Sequence, residues 1–497
     1  MSLRQPIRIL RIPPYYDTHL ERAISRLISA HEHIEYQLFT IDKKHLAKND
    51  LNLLLSMSRT IIQEEQIQML IADSCESQLI VAKLGQEYPQ LRSGGMNFLT
   101  TLHCFNRLLM IDLFGEDQCI LTLNVEISQD SKKDILCIEH FFDRKKMNGY
   151  VKSSYSLGNR VSSFGFATSE RLTALLPIYI EVYEEQYKTN LQSFFQVYLS
   201  QKQCLSLFKP SYLIQPFYDL TTYPYWRLVI ASACVFDKEI IMWPLVDGYS
   251  GWPFFAQKPI AIMPIIICPS RHLSVEQQNR VYTRFREHLD HLISNEHLRY
   301  GWIESSYFVS TTDEIRLISM KPTYSAYLTE AFSLTNEHGN PISVMIQLVN
   351  RQRPLKPILN GKTVYIHRLW AIITQNNHVI DNFINMSEIK RIHRSNFSLD
   401  QYVQLGFQAN ELIPISNQQT YTEIGFIQVN GKYHELGLTN LIEFRSLLLK
   451  TPQLIPFSHQ SMLVNDPFEF DPVTCLPSSA LLSRLDEQRK EERRDLI

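Results

Sequence analysis

Polar and apolar positions alternate at the start of the chain, and the period then changes to that of a helix. Residues 7–12 alternate and stop at Pro13, and apolar residues follow at helical spacing over 20–28. The same pattern predicts further strands at 34–40 and 68–73 and further helices at 51–63 and 77–87. This alternation favours a small open parallel sheet. The first strand-to-helix turn lacks glycine, which argues against a dinucleotide site of the G-x-G-x-x-G kind.

The middle of the chain mixes strands and helices less regularly. Residues 97–114 predict a helix that leads to Gly115. Residues 226–236 and 239–245 predict two strands joined by a tight turn at 237–238. This part of the chain therefore predicts an α+β arrangement.

A long helix and a hairpin follow. Residues 274–295 predict the helix, with Ser274 as its N-cap and Gln277 as the capping-box partner. A hairpin is predicted over 301–320. We interpret as a solvated face the following residues on or after the helix: Arg286, His288, His291 and His297.

Composition narrows the class of protein. A chain of 497 residues, 44% hydrophobic and 20% charged, can bury large cores in about two to four units. The formal net charge of −2 provides no general attraction for nucleic acid or anionic lipid, so we expect neither as a partner. The eight cysteines form no CxxC pair and no zinc spacing, which predicts reduced thiols.

Targeting signals are the next consideration. The N-terminal residues lack the pattern of a signal peptide, and the longest apolar run, at 259–269, is too short to span a bilayer. These features predict a cytoplasmic protein, with export by a signal-less route as the open alternative.

A lysine followed by a small polar loop is the first candidate for chemistry. Lys152 ends a predicted strand, and the loop after it contains Gly158. Backbone N–H groups of such a loop can surround phosphates while the lysine provides a positive charge. Arg160 either obstructs closure of this loop or binds a phosphate with two hydrogen bonds. The alternative is an ordinary exposed hairpin.

A predicted strand with aromatic residues at its end is the second candidate. Gln215, Phe217 and Tyr218 lie in the segment 213–218 and could form an adenine-sized slot, in which backbone groups contact the base edge. The alternative is a strand end buried in a core.

The hairpin at 301–320 is the third candidate. It follows an amphipathic helix and would direct Glu304 and the residues near Ser319 into one concave face. A carboxylate in that position is a candidate magnesium ligand, and the alternative is a solvent-facing glutamate.

Taken in order, these three segments resemble the ATP-grasp superfamily, in particular carboxylate–amine ligases of the L-amino-acid ligase type. The resemblance covers about residues 1–345 and also relates Asn106 and Arg107 to a family Asp-Lys pair that opens a helix near ATP. It assigns to ATP the residues Arg107, Lys152, Gly158, Arg160, Gln215, Phe217 and Tyr218. It assigns Glu304 to Mg²⁺, and we interpret Lys321 as the catalytic residue because its charge could act on a phosphate.

The sequence departs from the family at the end of the hairpin. Where the family has Glu-x-Asn-x-Arg, this chain has Ser319, Lys321 and Thr323. The resemblance implies magnesium as a cofactor. Because an ammonium group cannot ligate Mg²⁺, a reduced or absent requirement for this ion is left open. Lys321 either replaces the metal against a phosphate or is a surface lysine of a retired site.

The resemblance implies an ATP-grasp-like α+β fold with an N-terminal α/β pre-domain. The expected parts are 1–115 (pre-domain), 116–345 (ATP-grasp domain, lobes about 116–210 and 211–345), 346–460 (C-terminal α+β domain) and 461–497 (charged tail).

The expected activity is ligation of a carboxylate to an amine through an acylphosphate, with ATP and magnesium as cofactors. The expected partners are the nucleotide and a small carboxylate or amine substrate, and a homodimer is left open. The alternative is a degraded ATP-grasp protein that binds nucleotide or another protein without turnover.

Overall fold

The computed structural model describes the following residues: 7–12, 36–41, 51–72, 75–93, 96–126, 131–142, 149–154, 163–166, 169–170, 172–173, 176–177, 193–199, 211–216, 226–248, 265–271, 273–295, 298–310, 312–373, 385, 387, 403–407 and 420–431. Its helices are α1 (Leu51–Glu64), α2 (Cys75–Glu87), α3 (Phe98–Phe105), α4 (Arg107–Phe114), α5 (Ser131–Phe141), α6 (Ser193–Tyr198), α7 (Val275–Asn295), α8 (Ala326–Thr335) and α9 (Pro341–Val349).

Within the described residues the strands form three main sheets and one short pair. The strands up to residue 248 are β1 (Ile7–Ile12), β2 (Tyr36–Thr40), β3 (Met69–Ala72), β4 (Arg92–Ser93), β5 (Leu123–Glu126), β6 (Gly149–Ser153), β7 (Ser163–Phe166), β8 (Ser211–Pro216), β9 (Trp226–Phe236), β10 (Glu239–Met242) and β11 (Val246–Gly248). Those that follow are β12 (Ile265–Cys268), β13 (Tyr300–Ser310), β14 (Ile315–Lys321), β15 (Asn336–Glu337), β16 (Ile358–Leu359), β17 (Thr363–Ile373), β18 (Val403–Phe407) and β19 (Thr420–Gly431).

The first sheet is the open parallel sheet that the N-terminal pattern predicts. Its order is β2-β1-β3-β4, and every neighbouring pair is parallel. Leu10 and Leu70 pair across β1 and β3, and both are completely buried. The predicted helix at 20–28 lies outside the described residues.

The second sheet is antiparallel and carries the first candidate lysine. Its order is β5-β8-β6-β7, so β6 lies between β8 and β7. Lys152 on β6 pairs with Leu213 on β8, and Tyr150 pairs with Gln215. Two of the three candidate segments therefore lie on adjacent strands.

The third sheet is large and carries the candidate glutamate. Its order is β14-β13-β9-β11-β12-β17-β19-β18, with β10 paired to β9. On one face, buried residues of α7 pack with Ala231 and Ile303, and on the other face α8 and α9 pack with Ile230 and Trp302. Strands after residue 346 continue this sheet, since β17 pairs with β12. The predicted domain limits stay a prediction.

The helix predicted over 97–114 is two helices, and this is a correction. Asn106 has extended backbone angles (φ −102°, ψ 118°) and ends α3, while its side-chain oxygen accepts hydrogen bonds from the N–H groups of Leu108 and Leu109. A short amide side chain competes in this way with the helical hydrogen bonds and caps a new helix. The break makes Arg107 the first residue of α4.

The capping box predicted for the long helix is confirmed. Ser274 N–H donates to Gln277 Oε1 at 3.2 Å, and Gln277 N–H donates to Ser274 Oγ at 3.1 Å. In the described part of the chain, no helix is long and apolar enough to cross a membrane.

The solvated interpretation of His288 is wrong. This side chain is only 2% exposed, and its two ring nitrogens lie 2.9 Å from Tyr307 Oη and from Gln118 Oε1. Burial, together with the positive charges of Arg284 and His291, lowers the pKa of His288 to about 3. The neutral imidazole thus ties α7 to β13 and to the turn after α4.

We expect the free energy of unfolding to decrease as the pH falls below about 6.5. The unfolded chain then protonates His288, whereas the folded chain keeps it neutral. The loss amounts to about 2 kcal/mol at pH 5. Urea unfolding at several pH values measures this dependence.

A variant and a control identify the group responsible. His288→Gln should flatten the dependence in this pH range, while His338→Asn should keep it, because His338 lies on an exposed turn at a φ of 60° that asparagine tolerates. An unchanged slope in His288→Gln would rule His288 out as the source.

Candidate functional site

Two positively charged side chains come together at the end of β6. The N–H of Arg107 donates to the carbonyl oxygen of Ser154 at 2.7 Å, which places the start of α4 beside the residue that follows β6. Burial and the neighbouring Arg107 cation lower the pKa of Lys152 to about 7. Both side chains are half-buried. Two like charges so close together repel each other, and an anion between or beside them would offset that repulsion.

Gln215 lies one strand away and also has a polar atom to offer. Its side-chain N–H donates to Thr122 Oγ1 at 3.1 Å, which ties β8 to the start of β5. Its other side-chain atom, Oε1, is buried and has no hydrogen-bond partner within the part of the chain that the structure describes. Such an acceptor suits an amino group such as that of adenine.

Glu304 is the third candidate, and its carboxylate already holds protein donors. The backbone N–H of Ser325 donates to Oε2 at 2.9 Å, and the Ser325 hydroxyl donates to Oε1 at 2.5 Å. Ser325 is the N-cap residue of α8 and makes no side-chain cap of its own. The Glu304 carboxylate therefore caps this helix, where a negative charge is favourable.

Lys321 is the other partner of this carboxylate. Glu304 and Lys321 are opposite each other on β13 and β14, and Lys321 Nζ lies 3.7 Å from Glu304 Oε1. Side chains at opposite positions of an antiparallel pair share one face of the sheet. The Glu304 side chain is 2% exposed and that of Lys321 is 37% exposed. The pair thus has a buried acid and an accessible base.

The surroundings of Glu304 do not fit a magnesium ion. Mg²⁺ needs about six oxygen ligands at roughly 2.0–2.1 Å, usually with one or two carboxylates among them. Both Glu304 oxygens accept hydrogen bonds, and the Lys321 ammonium would repel a cation. The residue opposite Glu304 on β9 is Ser232, and two residues further along β13 Ser306 lies opposite Ser319 on β14; all three serines carry neutral hydroxyls. Among the described residues, no group of three His, Cys, Asp or Glu side chains could hold a metal.

Some predicted residues cannot be placed. Gly158, Arg160, Phe217 and Tyr218 lie outside the described residues. The structure brings together Lys152 with Arg107, and Glu304 with Lys321. Helices α3 and α4 contact β14, the strand that carries Lys321. Helix α4 is also the helix whose first residue, Arg107, donates a hydrogen bond to Ser154. The assignment of these residues to ATP and to metal stays a prediction.

Sequence reasoning missed Ser325. A serine just before the apolar helical run that begins at Ala326 is an N-cap signal that could have identified the start of α8. The signal does not reveal that a glutamate on another strand would hold this serine. That contact depends on the packing of α8 against the large sheet.

Comparisons with known proteins found likeness only in structure. No protein-family model matches the chain, and no curated protein matches it in sequence. Carboxyaminoimidazole ribonucleotide synthase from Aspergillus clavatus, solved with ATP, is 8% identical with a TM-score of 0.59 and covers 88% of this chain and 98% of its own. L-amino acid ligase from Bacillus licheniformis is 11% identical with a TM-score of 0.56, and the coverage is 90% and 98%.

A carboxylase domain has a similar degree of likeness. The biotin carboxylase domain of Hydrogenobacter thermophilus 2-oxoglutarate carboxylase, solved with MgADP, ADP and bicarbonate, is 11% identical with a TM-score of 0.56. The match covers 91% of this chain and 94% of that one. At such low identity these likenesses show the fold alone, and the fold predicted from the order of the motifs is confirmed.

Proposed function

Because this chain has the ATP-grasp fold, we propose that it binds ATP and uses it to join a carboxylate to an amine. The observation that carries the proposal is the extent of the likeness: nine-tenths of the chain aligns with nearly whole enzymes whose names describe ligation or carboxylation. A fold alone does not fix an activity, so the site residues must supply the rest.

The nucleotide phosphates are proposed to bind beside Lys152 and Arg107. These two cations lie close enough for Arg107 to lower the pKa of Lys152. A phosphate would relieve their repulsion and would favour the charged form of the lysine. The adenine amino group is proposed to donate to Gln215 Oε1, the buried acceptor without a partner among the described residues.

The proposed reaction has two steps. A substrate carboxylate oxygen attacks the γ-phosphorus of ATP, and ADP leaves, which forms an acylphosphate. An amine nitrogen then attacks the acyl carbon, and inorganic phosphate leaves as the amide forms. In the first step negative charge spreads over the transferred phosphoryl group, so fixed cations such as Lys152 and Arg107 lower the barrier. No part of this scheme passes through a metal ion at Glu304.

The proposal is tested by phosphate release from ATP in the presence of single and paired L-amino acids. We expect release with a free amino acid or a pair of them, and none with ATP alone or with a carboxylic acid that lacks an amine. Labelling the carboxylate with ¹⁸O identifies the acylphosphate, because one labelled oxygen must appear in the released phosphate. The control is Lys152→Met, which should release phosphate far more slowly than the unaltered chain.

The outcomes separate the candidate activities. Transfer of ¹⁸O to phosphate supports the ligase. ATP binding without phosphate release from any pair would contradict ligation of amino acids and leave nucleotide binding without turnover. Absence of ATP binding would contradict the proposal as a whole.

A further inference from the structure

The Glu304 and Lys321 pair bears on the metal requirement of the proposed ATP site. We infer that Lys321 provides the positive charge at this position, so that the chain binds ATP without a divalent ion at Glu304. This inference rests on the proposed function and adds to it the way in which the phosphate charge is balanced.

The Glu304 carboxylate already accepts hydrogen bonds from the protein. Glu304 Oε2 accepts the N–H of Ser325 at 2.9 Å, and Oε1 accepts the Ser325 hydroxyl at 2.5 Å. Both oxygens are thus engaged in capping α8. These two hydrogen bonds use two of the roughly four acceptor positions of the carboxylate, so a metal ion would have to share its oxygens with Ser325.

The Lys321 ammonium group lies beside this carboxylate. Lys321 Nζ lies 3.7 Å from Glu304 Oε1, so a cation bound to that oxygen would lie near this ammonium and be repelled by it. An ammonium has three N–H donors and can contact a carboxylate and a phosphate together. Because the Lys321 side chain is 37% exposed, an anion can reach it from solvent while the buried Glu304 holds it in position.

The neighbours of Glu304 on β9, β13 and β14 include three serines. The residue opposite Ser306 on β14 is Ser319, and the residue opposite Glu304 on β9 is Ser232. Magnesium sites use one or two carboxylates, and none of these serines adds one to Glu304. Glu304 is therefore a positioning residue for Lys321 and α8, and Lys321 is the group that faces the phosphate.

Isothermal titration of ATP into the full chain tests the inference, with EDTA in one series and MgCl₂ in the other. We expect the two dissociation constants of the unaltered chain to agree within about threefold. In EDTA, Lys321→Gln should weaken binding by about tenfold or more, the effect of losing one charged hydrogen bond. Lys321→Arg keeps the charge and should bind nearly as well. The control, Lys362→Gln at an exposed lysine, should leave binding unchanged.

Three outcomes would overturn the inference in distinguishable ways. Binding that occurs only with MgCl₂ would contradict it and leave the proposed function standing. Equal binding by Lys321→Gln and the unaltered chain in EDTA would also contradict it. No binding in either buffer would overturn the inference and the proposed function together. The comparison of the two buffers needs no variant, so it decides the question even if Lys321→Gln does not fold.

Discussion

Replacing Lys152 with methionine should weaken ATP binding by about tenfold to a hundredfold, because one charged hydrogen bond to a phosphate is worth roughly 1.5–3 kcal/mol. We expect this substitution to leave the stability of the folded state undiminished. Lys152 is half-buried beside Arg107, and both burial and that cation disfavour its charge. We therefore expect a melting temperature equal to or above that of the unaltered chain, together with the lower affinity.

The pH dependence of binding provides a second measurement on the same group. With a pKa of about 7, Lys152 is charged below pH 7 and loses its proton above it. Phosphate binding to the charged form must then take up a proton, so the affinity for ATP should decrease as the pH rises from about 7 to 9. Lys152→Met should lack this decrease.

The same shift has a consequence for stability. The pKa of Lys152 in the folded chain lies below its ordinary value of 10.5, so between these two values the unfolded chain binds more protons. The contribution of Lys152 to the free energy of unfolding should therefore increase as the pH rises through this range. Lys133→Met, at an exposed lysine on α5, is the control and should alter neither ATP binding nor this increase. Unchanged ATP affinity in Lys152→Met would remove this lysine from the site.

Replacing Glu304 with alanine should lower the free energy of unfolding by about 2–3 kcal/mol, because the buried Ser325 N–H and hydroxyl lose their acceptor. Lys321 contributes less to this value, since its side chain is partly exposed and its charge is screened. Urea unfolding in EDTA measures the change.

Glu304→Gln separates a helix cap from an empty metal ligand. It keeps the shape and one acceptor oxygen, and we expect a loss of about 1 kcal/mol. A carboxylate kept only for a metal would be unfavourable in EDTA, so its neutral replacement would stabilise the chain; a higher free energy of unfolding for Glu304→Gln would therefore contradict the capping role. Glu337→Ala, at an exposed glutamate, should change the free energy by no more than about 0.5 kcal/mol.

Local sequence signals predicted the elements of the fold well where neighbouring residues decide the structure. The capping box of Ser274 and Gln277 and the strand 226–236 agree with the structure. The helix at 97–114 was predicted as continuous because its apolar spacing is continuous. The extended backbone of Asn106 interrupts the helix. The next residue, Arg107, donates its N–H to Ser154, which lies in a distant part of the chain.

The candidate site could be predicted only in part for the same reason. The residue types at Lys152 and Glu304 pointed to phosphate and metal chemistry, and the sequence showed that Lys321 is foreign to a magnesium site. The distance of Arg107 from Lys152, and the partners of Glu304, depend on contacts between residues far apart in the chain. The burial of His288 belongs to the same class, because its partners are Gln118 and Tyr307.

The sequence by itself determined many of the strands and helices and the α+β class, because periodicity and capping act over a few residues. The ATP-grasp layout was implied by the resemblance to that superfamily. Only the tertiary structure decided what Glu304 does. The register of β13 against β14 places Lys321 opposite it, and the packing of α8 brings Ser325 to both of its oxygens. The Glu304 carboxylate here holds the start of a helix and lies beside an ammonium group, and that ammonium repels a metal ion.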